Sequence, residues 1–268
     1  MSPELEDLCQ ILRAAACNEI LPRFKYAAAE TKTDGSLVTA ADVGTQAFIL
    51  AELRGRFPDV PVLGEEMGVQ EQEALLAGTQ GHLWCLDPLD GTSNFAGDFP
   101  FFGISLALLE GGQARLGLVL DPVRDECFAA ERGKGAWLNG QALRLAPASN
   151  ALKDALALVD LKRLPVEILM RLGGEAPYRS QRSLGAVALE WCWLAAGRAR
   201  LYLHGGQRLW DWAAGRLIAS EAGVQSLLMG QGGGGVPVEL SLEPCMAVAA
   251  ANEALLEQWT AWLRLGSG

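Results

Sequence analysis

The apolar run Leu83-Trp84-Cys85-Leu86 passes without a spacer into Asp87-Pro88-Leu89-Asp90-Gly91-Thr92-Ser93-Asn94-Phe95. A strand-like stretch therefore ends on two carboxylates three residues apart, followed by a Gly-Thr pair. Residues three apart on a helical turn share a face, so Asp87 and Asp90 are predicted to converge on one point. Converged carboxylates repel unless a cation lies between them, and hard cations such as Mg²⁺ prefer such oxygen ligands. The Gly91 and Thr92 backbone adds N–H groups beside that charge, and a helix starting there aims its positive end at an anion. A bare D-x-x-D is most often an Asp-Pro turn with a capping aspartate. The full string holds carboxylates for a metal and amides for an anion, and it predicts a metal-dependent phosphate site.

With 268 residues, 50% of them hydrophobic, the chain can bury a large core as one big domain or as two tightly joined halves. Its formal net charge of −10 repels nucleic-acid phosphate, which disfavours nucleic-acid binding. A small phosphorylated substrate meets the same repulsion and needs cations at its site. The cysteines (Cys9, Cys17, Cys85, Cys127, Cys192 and Cys245) show no C-x-x-C spacing, and most lie in apolar stretches, where a free thiol acts as a small hydrophobe. That pattern predicts neither zinc nor structural disulfides, and a reducing compartment. Glu4, Glu6 and Asp7 precede any basic residue, the wrong polarity for a signal peptide. No apolar run reaches the roughly eighteen residues of a membrane span. A cytoplasmic protein with no membrane contact is the expectation. His82 and His204 are the only histidines, and a Ser-His-Asp or Cys-His catalytic set would need one of them. His82 opens the strand-like run as a strand-end polar residue, which leaves the chemistry to carboxylates and metal.

Leu5, Leu8, Leu12, Ala15, Ala16 and Ile20 recur at helical spacing before Pro22. Thr39 is a plausible N-cap for a second helix through Val43, Ala47, Phe48 and Leu53. Val60 to Leu63 reads as a short strand delivering Glu65 and Glu66. Strands at Gly103 to Leu109 and Ala114 to Leu120 are joined by a hairpin signal, Glu110-Gly111-Gly112-Gln113. Cys127 to Glu131 continues the sheet, and Gly133 to Gly140 reads as a turn-rich loop. Strands are then predicted at Ala155 to Val159, Tyr178 to Arg182, Arg200 to Leu203 and Met246 to Ala250. Helices are predicted at Pro165 to Leu172, Leu184 to Ala196, Trp210 to Ala222 and Glu253 to Leu263. The expected class is α/β, an α+β N-terminal half (1–148) followed by an α/β C-terminal half (149–268), with the change of rhythm near Ala148 to Leu152. Gly232 to Gly235 reads as a flexible surface loop and the final Gly-Ser-Gly as a frayed tail.

The string from Asp87 to Phe95 resembles the signature of the inositol monophosphatase family. Three further segments resemble blocks of the same family, in the same order. They are Lys32-Thr33-Asp34-Gly35-Ser36-Leu37-Val38-Thr39-Ala40-Ala41-Asp42, Gly64-Glu65-Glu66, and Leu209-Trp210-Asp211-Trp212-Ala213-Ala214-Gly215. The resemblance implies a layered αβαβα sandwich, a homodimer, and Mg²⁺-dependent, lithium-sensitive hydrolysis of a small phosphomonoester by a metal-activated water. It implies two or three Mg²⁺ ions per site. Glu65, Asp87 and the Leu89 carbonyl would hold one; Asp87, Asp90 and Asp211 would hold another; a third would sit near Glu65. Thr92, paired with Asp42, and Glu65 would handle the water's proton, and Lys32 would add positive charge. The Gly91 and Thr92 amides would clamp phosphate oxygens, while Gly185 and Ala186 would lie against the substrate's alcohol ring. Trp210 and Trp212 are expected to pack around Asp211 rather than to bind.

The chain departs from the inositol-specific pattern seven residues before Asp211. A glutamate there bonds ring hydroxyls, whereas this chain has His204, taken here as a substrate-side residue. The Asp34 to Thr39 stretch leans toward relatives acting on histidinol phosphate or 3′-phosphoadenosine 5′-phosphate. The Gly91 to Phe95 stretch leans back toward inositol and fructose 1,6-bisphosphate enzymes. A role of another class is a regulatory binding partner of a transcription complex, as some bacterial relatives are.

Overall fold

The computed structural model describes residues 1–26, 29–31, 37–78, 81–147, 149–230 and 240–265. Lys32, the glycine run 232–235 and the final three residues lie outside these. Helix α1 (Pro3–Ala15) starts on the Ser2 hydroxyl, which accepts from the Leu5 amide, and a π-helical turn over Ala16–Ile20 prolongs its buried stripe. Strands β1 (Ala29–Thr31) and β2 (Leu37–Thr39) pair antiparallel. Thr39 then caps α2 (Ala40–Arg56) in a capping box with Asp42, as its place ahead of the apolar periodicity predicts.

A seven-stranded sheet follows in the order β3-β4-β5-β6-β7-β8-β9. Strand β3 (Val62–Gly64) leads through α3 (Val69–Gly78) to a parallel partner, β4 (His82–Asp90), which runs into the short α4 (Thr92–Ala96). The remaining strands pair antiparallel: β5 (Gly103–Glu110), β6 (Gln113–Asp121), β7 (Glu126–Glu131), β8 (Gly135–Leu138) and β9 (Gln141–Leu143). The second half contains β10 (Leu156–Asp160), α5 (Val166–Glu175), β11 (Ser180–Arg182), α6 (Val187–Ala195) and β12 (Leu201–Gln207). It ends with α7 (Leu209–Ala222), β13 (Gln225–Gly230), β14 (Cys245–Ala250) and α8 (Glu253–Leu263). Its sheet runs β11-β10-β12-β14-β13, with β10 parallel to β11 and β12, and β14 antiparallel to β12 and β13.

The strand period of two sorts side chains into three cores. On β4, Trp84 and Leu86 face α1 and α2, whereas Leu83 and Cys85 face the middle layer. On β14, Ala247 and Ala249 face that same middle layer, and Met246 and Val248 face α5 and α8. The middle layer is α6 and α7, buried on both sides, and it contributes Trp191, Trp210, Trp212 and Ile218. The architecture is thus the αβαβα sandwich, and Trp210 and Trp212 pack as expected.

Several sequence expectations are corrected. The stretch 133–140 is not wholly loop, because β8 pairs there with β7 and β9. Helix α3 and strand β13 went unpredicted. Only Gln72 of α3 is buried, so α3 has almost no apolar stripe, and β13 alternates weakly. The expectation of no structural disulfide also fails. Cys9 of α1 and Cys127 of β7 form one, with Cα atoms 6.4 Å apart. The segments lie 118 residues apart, and their spacing carries no sign of the pairing. Among the described residues, no helix is long and apolar enough to cross a membrane.

Candidate active site

Asp87 and Asp90 do converge, but not on a helical turn. Both belong to β4, where residues three apart would face opposite sides of a regular strand. Asp87 lies opposite Ser105 and Asp90 opposite Gly103, so three residue steps on β4 match two on β5. This bulge supplies the half-turn that regular pairing lacks. Both carboxyls are buried. Asp87 Oδ1 accepts from the Leu89 amide at 3.0 Å. Asp90 reaches into the second half of the chain, its two oxygens accepting from the Val187 and Ala188 amides at the start of α6, at 3.0 and 2.7 Å. Asp211 stands in the first turn of α7, with Oδ2 accepting from the Arg208 amide at 2.7 Å. Glu65 follows β3, its amide bonded to the Leu86 carbonyl.

The electrostatics are those of an uncompensated acidic cluster. Burial above all, then Glu65, Asp90 and Asp211, pushes the Asp87 carboxyl well above the usual carboxylate range. Burial raises Asp90 to about 8, against the pull of the α6 amides. Burial and then Asp90 raise Asp211 to about 7. Among the described residues, no three acidic, imidazole or thiol groups already form a metal cage, and backbone amides hold one oxygen or both on Asp87, Asp90 and Asp211. The donor set still fits a hard divalent cation: oxygen-only ligands, like-charged neighbours that penalise one another, and an opening to a shared cavity.

That cavity, about 1200 Å³, is lined by Glu65, Asp87, Leu89, Asp90 and Asp211 on one side and by Gly91 to Asn94 beside them. Gly91 has φ +89°, and a Cβ there would stand 3.0 Å from Ala186 Cβ, so only glycine lets α4 begin this close to the 185–186 turn. The Thr92 hydroxyl lies 3.0 Å from both Asp42 Oδ1 and the Leu89 carbonyl. Asp42 Oδ2 accepts from the Thr39 amide and hydroxyl at 2.8 and 2.6 Å, and burial nudges this carboxyl upward. Thr92 and Asp42, 50 residues apart, thus meet as expected.

The structure also brings Gly185, Ala186 and His204 toward the site; Gly185 and His204 line the cavity. His204 is buried, with Nε2 2.9 Å from Asp160 Oδ2 and Nδ1 accepting from the Gly206 amide at 3.2 Å. Both ring nitrogens are therefore engaged within the chain. Sequence reasoning missed three supports. Asn94 Nδ2 donates to the Phe101 and Leu184 carbonyls, both at 2.7 Å, tying the motif to the 184–186 turn. Buried Glu190 accepts from the Leu184 and Gly185 amides at 2.9 and 3.2 Å. Gln72 Nε2 donates to the Gly64 carbonyl at 2.8 Å and the Glu65 carbonyl at 3.3 Å. A signal existed for Glu190, the single charge in the otherwise apolar Val187–Ala195 helix.

The fold and this site define a layered α/β protein with an acidic cleft lined by residues of both halves of the chain. Residues 4–263 match the inositol monophosphatase family, and the chain belongs to that family. It is 34% identical over 197 residues to Nus factor SuhB of Pasteurella multocida (strain Pm70), a match covering 72% of each chain. It is 29% identical over 255 residues to inositol monophosphatase 1 of Bos taurus, covering 93% of this chain and 87% of that one. The solved structure of a Thermotoga maritima IMPase superposes with a TM-score of 0.81 at 26% identity, covering 98% of this chain and 96% of that one.

Proposed function

We propose that this protein is a Mg²⁺-dependent phosphomonoesterase acting on a small phosphorylated substrate. The observation that carries this proposal is the convergence of Asp87, Asp90 and Asp211, from two distant segments, beside the Thr92–Asp42 pair on one cavity. Glu65, Asp87, Asp90, Asp211 and the Leu89 carbonyl would hold two or three ions. Bound Mg²⁺ would neutralise phosphate oxygens and lower the pKa of an attacking water. The chain's own part is orientation. Thr92 Oγ1 turns its proton toward Asp42 Oδ1 and presents a lone pair to the water. The Gly91 and Thr92 amides face the phosphate, and Gly185 and Ala186 border its alcohol. Lys32 is assigned the supporting positive charge that its motif implies. Inositol phosphate, fructose 1,6-bisphosphate, 3′-phosphoadenosine 5′-phosphate and histidinol phosphate share this chemistry. A homodimer and lithium sensitivity follow from the family likeness. The division near residue 148, with most metal ligands before it and Asp211 after it, is read from the change of element rhythm, and the cytoplasmic setting is an expectation of the sequence.

A phosphate-release screen over these monoesters, with Mg²⁺, with Mg²⁺ plus Li⁺, and after exhaustive chelation, tests the proposal. Release that needs the divalent ion and falls with Li⁺ is expected. Release undiminished by chelation would overturn the metal assignment. The relatives named Nus factor SuhB support a second role, as a regulatory partner of a transcription complex. Mutually repelling buried carboxylates are of no use to a scaffold alone, so that role would be additional.

A further inference from the structure

Glu190 is a buried charge with no part in the chemistry proposed above. It is the single charged residue of α6, and its carboxyl is withdrawn from solvent. Burial pushes that carboxyl up to about 7, while the Leu184 and Gly185 amides pull against the rise. A carboxyl in such surroundings lowers stability relative to an apolar side chain of the same size. What it does in the fold is therefore informative.

Its hydrogen bonds converge on one turn. Glu190 Oε1 accepts from the Leu184 amide at 2.9 Å and from the Gly185 amide at 3.2 Å. The same turn is held from the other half of the chain, because Asn94 Nδ2 of α4 donates to the Leu184 carbonyl at 2.7 Å. Leu184 thus has its N–H tied to α6 and its C=O tied to α4. Gly185 follows at φ +79°, where a Cβ would stand 3.2 Å from Asn94 Oδ1, so this residue has no side chain with which to grip its surroundings. Ala186 then lies against Gly91, and the Val187 and Ala188 amides bond Asp90. The turn is a strip of backbone set in place by polar side chains, directly beside the acidic cluster.

We propose that Glu190 is a positioning residue for the substrate. It fixes the 184–186 turn against α4, so that phosphate on the Gly91 and Thr92 amides and the alcohol beside Gly185 and Ala186 are held at once. Glu190 borders the cavity, but its Oε1 is committed to the turn, and it acts through that backbone. The proposal rests on the phosphomonoesterase assignment. Holding both ends of an ester in one fixed geometry raises its affinity above that of phosphate alone. A turn free to shift gives up the alcohol end and leaves the metal and phosphate end in place.

The test uses the full-length protein with Mg²⁺, two monoesters of different alcohols (inositol 1-phosphate and fructose 1-phosphate), and inorganic phosphate. Glu190→Met keeps the bulk of the side chain and removes the acceptor, whereas Glu190→Gln keeps an acceptor oxygen for both amides. In Glu190→Met, KM and the calorimetric Kd are expected to rise about tenfold for both esters, the scale of the hydrogen bonds lost. The Kd values for inorganic phosphate and for Mg²⁺ should stay within about twofold, and kcat within about threefold. Tm should hold or rise, because a buried carboxyl is replaced by an apolar group. Glu190→Gln should restore the wild-type KM. Asn94→Ala, which frees the turn from its other side, should raise KM in the same sense, and the double variant by less than the product of the two. Unchanged ester affinities in Glu190→Met, or a fall in Tm with KM unmoved, would overturn the proposal. Failure of the wild type to release phosphate from either ester would count against the phosphomonoesterase assignment instead. The calorimetric affinities of esters against inorganic phosphate would still decide the role of Glu190.

Discussion

The two walls of the cavity are made differently. The acidic wall is anchored by backbone: the β4 bulge aims Asp87 and Asp90, the α6 amides hold Asp90, and the Arg208 amide just ahead of α7 holds Asp211. The wall at the ends of β10 and β12 is anchored by side chains, with Asp160, His204 and Arg163 holding one another and a glycine admitting the loop after β10. Backbone anchoring tolerates changes in neighbouring side chains and suits an invariant reaction. Side-chain anchoring shifts with each substitution and suits selectivity. Breaking the first wall should abolish turnover, whereas breaking the second should redistribute it among substrates.

The largest effect is expected at Asp87, the carboxyl that Glu65, Asp90 and Asp211 all surround. Asp87→Asn would remove the charge shared by the two proposed metal positions that Asp87 would bridge. Loss of one preorganised electrostatic group costs on the order of 10²–10³ in rate, and a shared group should cost more than 10³. The amide keeps the size of the side chain and its oxygen acceptor for Leu89, so the fold should survive. Near-normal kcat in a folded Asp87→Asn protein would detach the acidic wall from the chemistry.

Next comes Thr92→Ala. The hydroxyl bonds Asp42 and the Leu89 carbonyl and none of the clustered carboxylates. A fall in kcat of roughly 10²–10³ is expected, with Mg²⁺ affinity retained in a calorimetric titration. Loss of metal binding in this variant would show that Thr92 supports the metal site rather than the water.

The acidic wall was legible because its parts are near in sequence and carry distinctive chemistry. Asp87, Asp90, Gly91 and Thr92 fall within one short string, and Asp211 sits in a recognisable motif. Even there the local geometry differed: a helical turn was expected, and a strand bulge produced the same convergence, which periodicity does not distinguish. The wall at the ends of β10 and β12 was not legible. Asp160 and Arg163 are ordinary charges until β10 and β12 pair in register and set Asp160 beside His204. The same holds for Cys9 and Cys127, whose pairing depends on α1 crossing the sheet at β7. The long apolar strands and capped helices declared themselves, because burial forces their period. Helix α3, with one buried residue, had little to declare.

A moderate effect on stability should separate the walls by pH. Asp90 and Asp211 hold their protons to about 8 and about 7 in the folded chain, against an ordinary value of 3.8. A carboxyl raised in this way lends stability that is complete below its unfolded value and is lost as pH rises through the folded one. The metal-free protein should therefore lose Tm between about pH 4 and pH 8, by roughly 2–4 °C for each kcal/mol surrendered in a chain of this size. Added Mg²⁺ should restore most at the upper end, where the carboxylates are free of protons. A flat metal-free Tm across that window would mean that the cluster is not strained by its own charge.

The smallest effect is expected at His204, where the two walls assign different work. A ring that contacts substrate and a ring that only fixes Asp160 respond differently to His204→Gln. The glutamine amide can still donate to Asp160, but it is less well placed to accept from the Gly206 amide as well. One buried hydrogen bond is worth about 1 kcal/mol, so Tm should fall by only a few degrees. The loop would keep its main anchors, Arg163 on Asp160 and the loop backbone on Gly205, so kcat should stay within severalfold. Relative kcat/KM for inositol 1-phosphate against fructose 1,6-bisphosphate should move by less than about fivefold, roughly 1 kcal/mol. A change of a hundredfold in that ratio, with Tm unaltered, would show that the imidazole itself touches substrate. Selectivity would then reside in the ring rather than in the loop it holds.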